Sequence, residues 1–247
     1  MSSLTSSSDA PRIFPHTRWS LVLAATRKDA PESAAALESL CRAYWYPLYA
    51  YVRRSGQSPH DAQDLTQEFF YRLLEKRWLD SADRGKGKLR TFLIVALRKF
   101  MNNEWRRASA QRRGGGLSHA PLDTEFAESR YSADPSANLP ADETFDKEWA
   151  LTLLDLTMKR LREEFAFANK PDDFEALKSC LMATHGAIDY PGIASRLGMN
   201  QGAARVAVHR LRKRFRDVYR DELSQTLADG EDLDGELRHL AAALAGK

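Results

Sequence analysis

Apolar residues recur at helical spacing along most of the chain, and no convincing strand pattern interrupts them. Thr17 can cap a first helix, "TRWSLVLAATR", with Trp19, Val22, Leu23 and Thr26 on one side. In "PESAAALESLCRAYWYPLYAYVRRSG" the apolar face is Leu37, Leu40, Cys41, Tyr44 and Leu48. Arg53 and Arg54 suit that helix's negative end, and Gly56 suits its C-cap. A third helix is predicted in "SPHDAQDLTQEFFYRLLEKRW", residues 58–78, with Ser58 as N-cap, Pro59 at the first position and Asp61 paired with Ser58. Gly85 and Gly87 break the pattern. A fourth helix then runs from Lys88 to Arg107 on Leu89, Phe92, Leu93, Ala96, Leu97, Phe100 and Met101.

Residues 109–145 are rich in Gly, Pro, Ser and acids and keep no period, so they read as a linker. Beyond it, Phe145 to Phe167 is helical on Trp149, Leu153, Leu156 and Leu161. After a break at "NKPDD", helices are predicted over Phe174–Met182, Tyr190–Leu197 and Gln201 to about Leu223, with a last one from Leu233 to Leu244. The expected fold is all-α: two small helical domains joined by a flexible linker, the second a helix-turn-helix. The expected divisions are a disordered N-terminus (1–15), a first helical domain (16–108), the linker (109–145), a second domain (146–223) and an acidic C-terminal tail (224–247).

Composition narrows the class. Hydrophobic residues make up 43% and charged residues 29% of the 247 positions, the balance of a soluble protein. No apolar run reaches membrane-spanning length, and the N-terminus lacks the features of a signal peptide, so a cytoplasmic location is the expectation. Cys41 and Cys180 have no partner at metal-binding spacing and read as reduced core residues. No nucleophile–base spacing and no phosphate-binding glycine motif is evident; "RRGGGLSH" lacks the residues of a P-loop. Asp61, Asp64 and Glu68 line up on one helix face but lack further ligands for a hard cation. Neither catalysis, nor a metal, nor a cofactor is therefore expected.

The distribution of charge is more telling than the net charge of +3. From Arg84 to Arg113 there are ten basic residues and one acid, and from Arg205 to Arg220 seven basic residues and one acid. Asp221 to Glu236, by contrast, holds seven acids and no Lys or Arg. Two separate basic blocks suggest two footprints on one polyanion. The first block interleaves its cations with Phe92, Phe100 and Trp105 and carries Asn102 and Asn103, a composition suited to holding single-stranded nucleic acid. Helical register assigns Phe92 and Phe100 to the core. The loop "DSADRGKGK" is either a solvated turn or a cationic flap.

The second block belongs to "YPGIASRLGMNQGAARVAVHRLRKRFRD". Ile193, Ala194 and Leu197 form the inner face of a short helix, Gly198 makes the turn, and Met199 plugs the corner. Val206, Leu211 and Phe215 anchor the second helix. Such a corner lays a helix in the major groove. Asn200, Gln201, Ala203, Ala204, Arg205 and Ala207 are then nearest the base edges, and Arg210, Arg212, Lys213 and Arg214 nearest the phosphates.

The 58–78 helix does not fit a DNA-binding role. At 100° per residue, Ala62, Leu65, Phe69 and Leu73 fall within about 80°, whereas Asp61, Asp64, Glu68 and Glu75 fall within a separate arc of about 60°. Packing accounts for the first stripe only. An acidic stripe repels DNA and suits a basic protein surface.

Three motifs in order carry a family resemblance spanning roughly residues 30–220. "YPGIASRLGMNQGAARVAVHRLRKRF" resembles the promoter-reading helix-turn-helix of bacterial RNA polymerase sigma factors, notably the extracytoplasmic-function (ECF) type of the sigma-70 family. "HDAQDLTQEFFYRLL" resembles the helix those factors dock on the polymerase clamp, and "GKLRTFLIVALRKFMNNEWRR" the helix that opens the minus-ten element. The resemblance implies polymerase binding by Asp61, Asp64, Leu65, Gln67, Glu68 and Phe69. It implies minus-ten contacts in the segment holding Arg90, Phe92, Arg98, Lys99, Asn102, Asn103, Trp105, Arg106 and Arg107. It implies minus-thirty-five contacts around Gln201, Gly202, Arg205, His209, Arg210 and Arg212. Lys99 stands where relatives often have Asn, and Asn103 where they often have Asp, so promoter preference does not carry over. The residues before Leu37 and after Arg220 lie outside the resemblance. The implied partners are the core RNA polymerase clamp and promoter DNA, double- and single-stranded, with an anti-sigma regulator as a further candidate. The alternative is a stand-alone helix-turn-helix regulator that binds operators without polymerase.

Overall fold

The computed structural model describes residues 31–76, 78–81, 87–110, 124–132, 139–227 and 230–246. The expected disordered N-terminus, the Thr17 helix and most of the "DSADRGKGK" loop lie outside the described residues. The described elements are helices α1 (Pro31–Arg54), α2 (Pro59–Glu75), α3 (Leu89–Ala110), α4 (Thr124–Ser132), α5 (Ala141–Phe167), α6 (Pro171–Leu177), α7 (Tyr190–Arg196), α8 (Gln201–Ser224) and α9 (Leu233–Ala245), with short 3-10 turns at Trp78–Ser81, Lys178–Leu181 and His185–Ala187. The fold is all-α, with no strand among the described residues.

Local sequence accounts for several helix starts. Ser58 accepts a hydrogen bond from the Asp61 amide at 3.1 Å, with Pro59 in the first turn of α2. Asn200 caps α8 by accepting from the Ala203 amide at 2.8 Å, and Asp232 caps α9. The region expected as one helix over Phe174–Met182 is α6 followed by the Lys178–Leu181 3-10 turn.

Two hydrophobic clusters form. The larger joins Leu40, Tyr44, Leu48 and Val52 of α1 to Phe69 and Leu73 of α2, Leu93, Leu97 and Phe100 of α3, and Phe145, Trp149 and Leu153 of α5. Tyr44 stacks on Trp149 with ring centroids 4.4 Å apart, fixing α1 against α5. The second cluster holds Leu161, Phe174, Leu177, Cys180, Ile193, Ala194, Ala204, Val208, Leu211 and Val218. Both cysteines are unbridged: Cys180 is buried, and burial pushes the thiol of half-buried Cys41 up to about 11.

Helices cross or lie within some of the expected divisions. α5 starts at Ala141, with Asp142 and Glu143 favouring its N-terminus, and passes unbroken through the expected boundary at 145–146. It enters both clusters, as does α8, whose Leu223 lies in the first. Within the expected linker, α4 packs Ala127 into the first cluster. α4 has almost no apolar stripe and is held by charge instead. Glu128 accepts from Tyr49 Oη at 2.6 Å and pairs with Arg53 at 2.9 Å. Those donors, Arg53 foremost, hold the Glu128 carboxyl below its ordinary range. Arg130 pairs with the buried Glu148 at 2.7 Å and lies 4.0 Å from the centre of the Tyr46 ring. The expected acidic tail likewise contains a docked helix: Leu240 of α9 is fully buried in the first cluster, with Leu233, Leu237 and Leu244 beside it.

Candidate functional site

α2 presents its acids outward. Asp61 and Asp64 are exposed, and Asp64 Oδ2 lies 3.3 Å from His60 Nδ1. Glu68 is half-buried and bound to Arg72 at 2.5 Å, so its charge is already shared within the helix. Glu75 is exposed, and so is the ring of Tyr71, at 51%. Leu65 is half-buried against the core. Gln67 is half-buried with its Nε2 lacking a hydrogen-bond partner among the described residues. Phe69 is wholly buried between Phe70, Trp78 and Phe100, which removes it from the expected contact surface: its ring belongs to the core.

On α3, Leu89, Leu93, Leu97 and Phe100 turn inward, leaving a polar stripe outward. Lys99, Asn102, Asn103 and Arg106 are exposed, and Trp105 is 74% exposed, far more than a core tryptophan would be. Thr91 and Val95 continue the same stripe, eleven and seven residues before Asn102, and Val95 is 40% exposed. Their spacing from Asn102 was the available signal, obscured because an apolar valine reads as core. The side chain of Arg107 lies outside the described residues.

Two expected minus-ten cations are paired within the chain, Arg90 in a buried site and Arg98 at the surface. Arg90 is 9% exposed, ion-paired to Asp146 of α5 and, at 2.8 Å, to Glu236 of α9. Arg98 is held by Asp142 and donates to Tyr51 Oη at 2.9 Å. Phe92 packs half-buried against the first cluster, as its register predicts.

At the α7–α8 corner, Gly198 sits at φ +61° and Met199 packs against the second cluster. An added Cβ at Gly198 meets nothing within 4 Å, so only backbone strain opposes substitution. Gly198→Ala is expected to cost about 1–2 kcal/mol of stability, read as a lower urea midpoint at unchanged m; an unchanged midpoint would mean that the turn relaxes.

The start and course of α8 differ from expectation at five positions, Asn200, Ala204, Val206, Arg212 and Arg214. Ala204 is fully buried and cannot meet a base edge, because it packs the corner together with Ile193 and Val208. Val206, expected as an anchor, is 48% exposed; Val208 is buried in its place. Arg212, expected on phosphate, donates to the Cys180 carbonyl at 2.7 Å and the Ala183 carbonyl at 2.5 Å, closing the turn before α7. Gln201, Ala203, Arg205, His209, Arg210 and Lys213 are exposed, and Ala207 is half-buried. Arg205 lies 5.3 Å from the centre of the Tyr190 ring. Arg214 pairs with Glu164 at 2.6 Å. Asn200 is committed to its cap.

Among the described residues no group of three or more His, Cys, Asp or Glu is arranged to hold a metal ion. Among them, too, no helix is long and apolar enough to cross a membrane.

Neither a curated protein nor a solved structure matches the chain. A family model does match, that of sigma-70 region 2, over residues 40–111. The matched stretch runs from α1 through α2 to the end of α3, and so contains both the acidic face and the cationic, tryptophan-bearing stripe. The match to sigma-70 region 2 over residues 40–111 thus supports a sigma-70 family sigma factor, a class involved in binding RNA polymerase and recognising promoters.

Proposed function

We propose that the protein is a sigma factor of the ECF type that acts in the cytoplasm, binding core RNA polymerase and directing transcription initiation at specific promoters. The observation that carries this reading is the region-2 match falling on two chemically opposite surfaces, acidic on α2 and cationic on α3. The exposed Asp61 and Asp64 suit a basic protein surface, the polymerase clamp. The α3 stripe suits a melted strand: Lys99 and Arg106 for its phosphates, Asn102 and Asn103 for base edges, and Trp105 as a platform for an unstacked base.

The α7–α8 corner is assigned the minus-thirty-five box. Gln201, Ala203 and Arg205 would approach base edges, with Val206 available to a thymine methyl, while Arg210 and Lys213 would take phosphates. No cofactor is called for. A stand-alone operator-binding regulator would need only this corner and would leave the region-2 surfaces unused.

The test is reconstitution with core polymerase on genomic DNA. Protein-dependent transcripts are expected, and Trp105→Ala should reduce them by about tenfold, the effect of losing one base-stacking platform worth about 1–3 kcal/mol. Absence of any protein-dependent start site would rule the reading out.

A further inference from the structure

Lys88 immediately precedes α3 and Arg90 is buried in its first turn, and the chain's own carboxylates occupy both. Glu236 of α9 is 3% exposed, and its two oxygens lie 2.5 Å from Lys88 Nζ and 2.8 Å from Arg90 Nη2. Asp146 of α5 completes the site, pairing with Arg90 and lying 2.8 Å from His239 of α9. The backbone is tied in the same place: the Leu89 amide donates to the Thr226 carbonyl at 3.4 Å, in the connection between α8 and α9. Tyr219 faces the same carboxylate, and burial together with the Glu236 charge pushes its phenol up to about 12.

Two cations converging on one carboxylate from the start of a helix, Lys88 just before it and Arg90 in its first turn, are arranged as a phosphate is held. A buried carboxylate is costly unless paired, so Glu236 is kept in place by those cations, and they by it. α9 is seated independently by its apolar stripe, Leu233, Leu237, Leu240 and Leu244, on the first cluster.

We propose that Lys88 and Arg90 form a binding site for a DNA backbone phosphate and that α9 is a latch, with Glu236 occupying that site in place of the phosphate until DNA displaces it. The proposal rests on the DNA-binding reading of α3. α9 lies outside the family match, which ends at residue 111.

The test is a salt titration of full-length protein on a labelled single-stranded oligonucleotide of mixed sequence. Glu236→Gln keeps the shape and removes the charge, freeing Lys88. It is expected to tighten binding by about tenfold at low salt and to steepen the dependence of log K on log salt by about 0.7 per freed cation. Asp146→Asn combined with Glu236→Gln frees Arg90 as well and should roughly double the change in slope. If the charge variants lose helical content by circular dichroism, Leu240→Ala loosens α9 from its apolar side and should tighten binding in the same direction. Wild-type affinity and slope in folded Glu236→Gln would overturn the latch and leave the DNA reading standing. No binding by the wild type or any variant would overturn both.

Discussion

Trp149→Ala is expected to lower the free energy of unfolding by about 3–5 kcal/mol, the usual cost of deleting a buried large aromatic. Trp149 is fully buried and stacked on Tyr44, so the loss includes an aromatic pair worth about 0.5–1.5 kcal/mol beyond burial. Total stability for a domain is about 5–15 kcal/mol, so this single change would bring the protein close to its unfolding threshold. Urea unfolding followed by circular dichroism measures it. Trp105→Ala, at the 74% exposed tryptophan, is the internal control and should stay within about 0.5 kcal/mol of wild type. A loss at Trp149 as small as at Trp105 would contradict the packing of α1 on α5. That packing also joins the region-2 helices to the C-terminal half of the chain.

The second large effect is on polymerase binding. Asp64→Arg combined with Glu68→Arg should weaken binding to core polymerase by at least about tenfold, because like charges facing each other across an interface cost several kcal/mol. Asp64 is exposed and Glu68 half-buried, both off the face that buries Phe69 and Leu73, so the helix should remain folded. Glu68→Arg does break the pair with Arg72, and thermal unfolding of the double variant shows whether that matters. The difference between variant and wild type should shrink as salt rises, the signature of exposed charges. Pull-down with core enzyme at two salt concentrations reads both features. Equal retention of variant and wild type would remove α2 as the docking surface and leave the α3 stripe to be explained without polymerase.

These two experiments separate features of different legibility. The helices themselves were readable because their causes are local. Ser58, Pro59 and Asp61 start α2, Asn200 starts α8, and Gly198 turns the corner between α7 and α8, each through contacts within a few residues. The apolar period placed Leu93, Leu97, Phe100, Trp149 and Leu153 in the core, since burial of one face is what a helical period records. The same arithmetic separated Asp61 and Asp64 from the packing face of α2. Phe69 and Ala204 were misread for a related reason: a motif lists residues by position, whereas side-chain direction decides which of them reach outward.

The fate of the cations was not legible. Arg90, Arg98 and Arg212 look like their exposed neighbours in the sequence, yet their partners are Asp146 and Glu236, Asp142 and Tyr51, and the carbonyls of Cys180 and Ala183. Those partners lie tens of residues or more away, and charge pairing has no period that could announce them. α4 escaped notice because charge rather than an apolar stripe secures it. Local sequence thus determined the helices, their caps and the two chemically opposite surfaces. Only tertiary packing, which carries α5 through both clusters and seats α9 against the start of α3, decided which basic residues remain available to a polyanion and which are already held by the protein's own carboxylates and carbonyls.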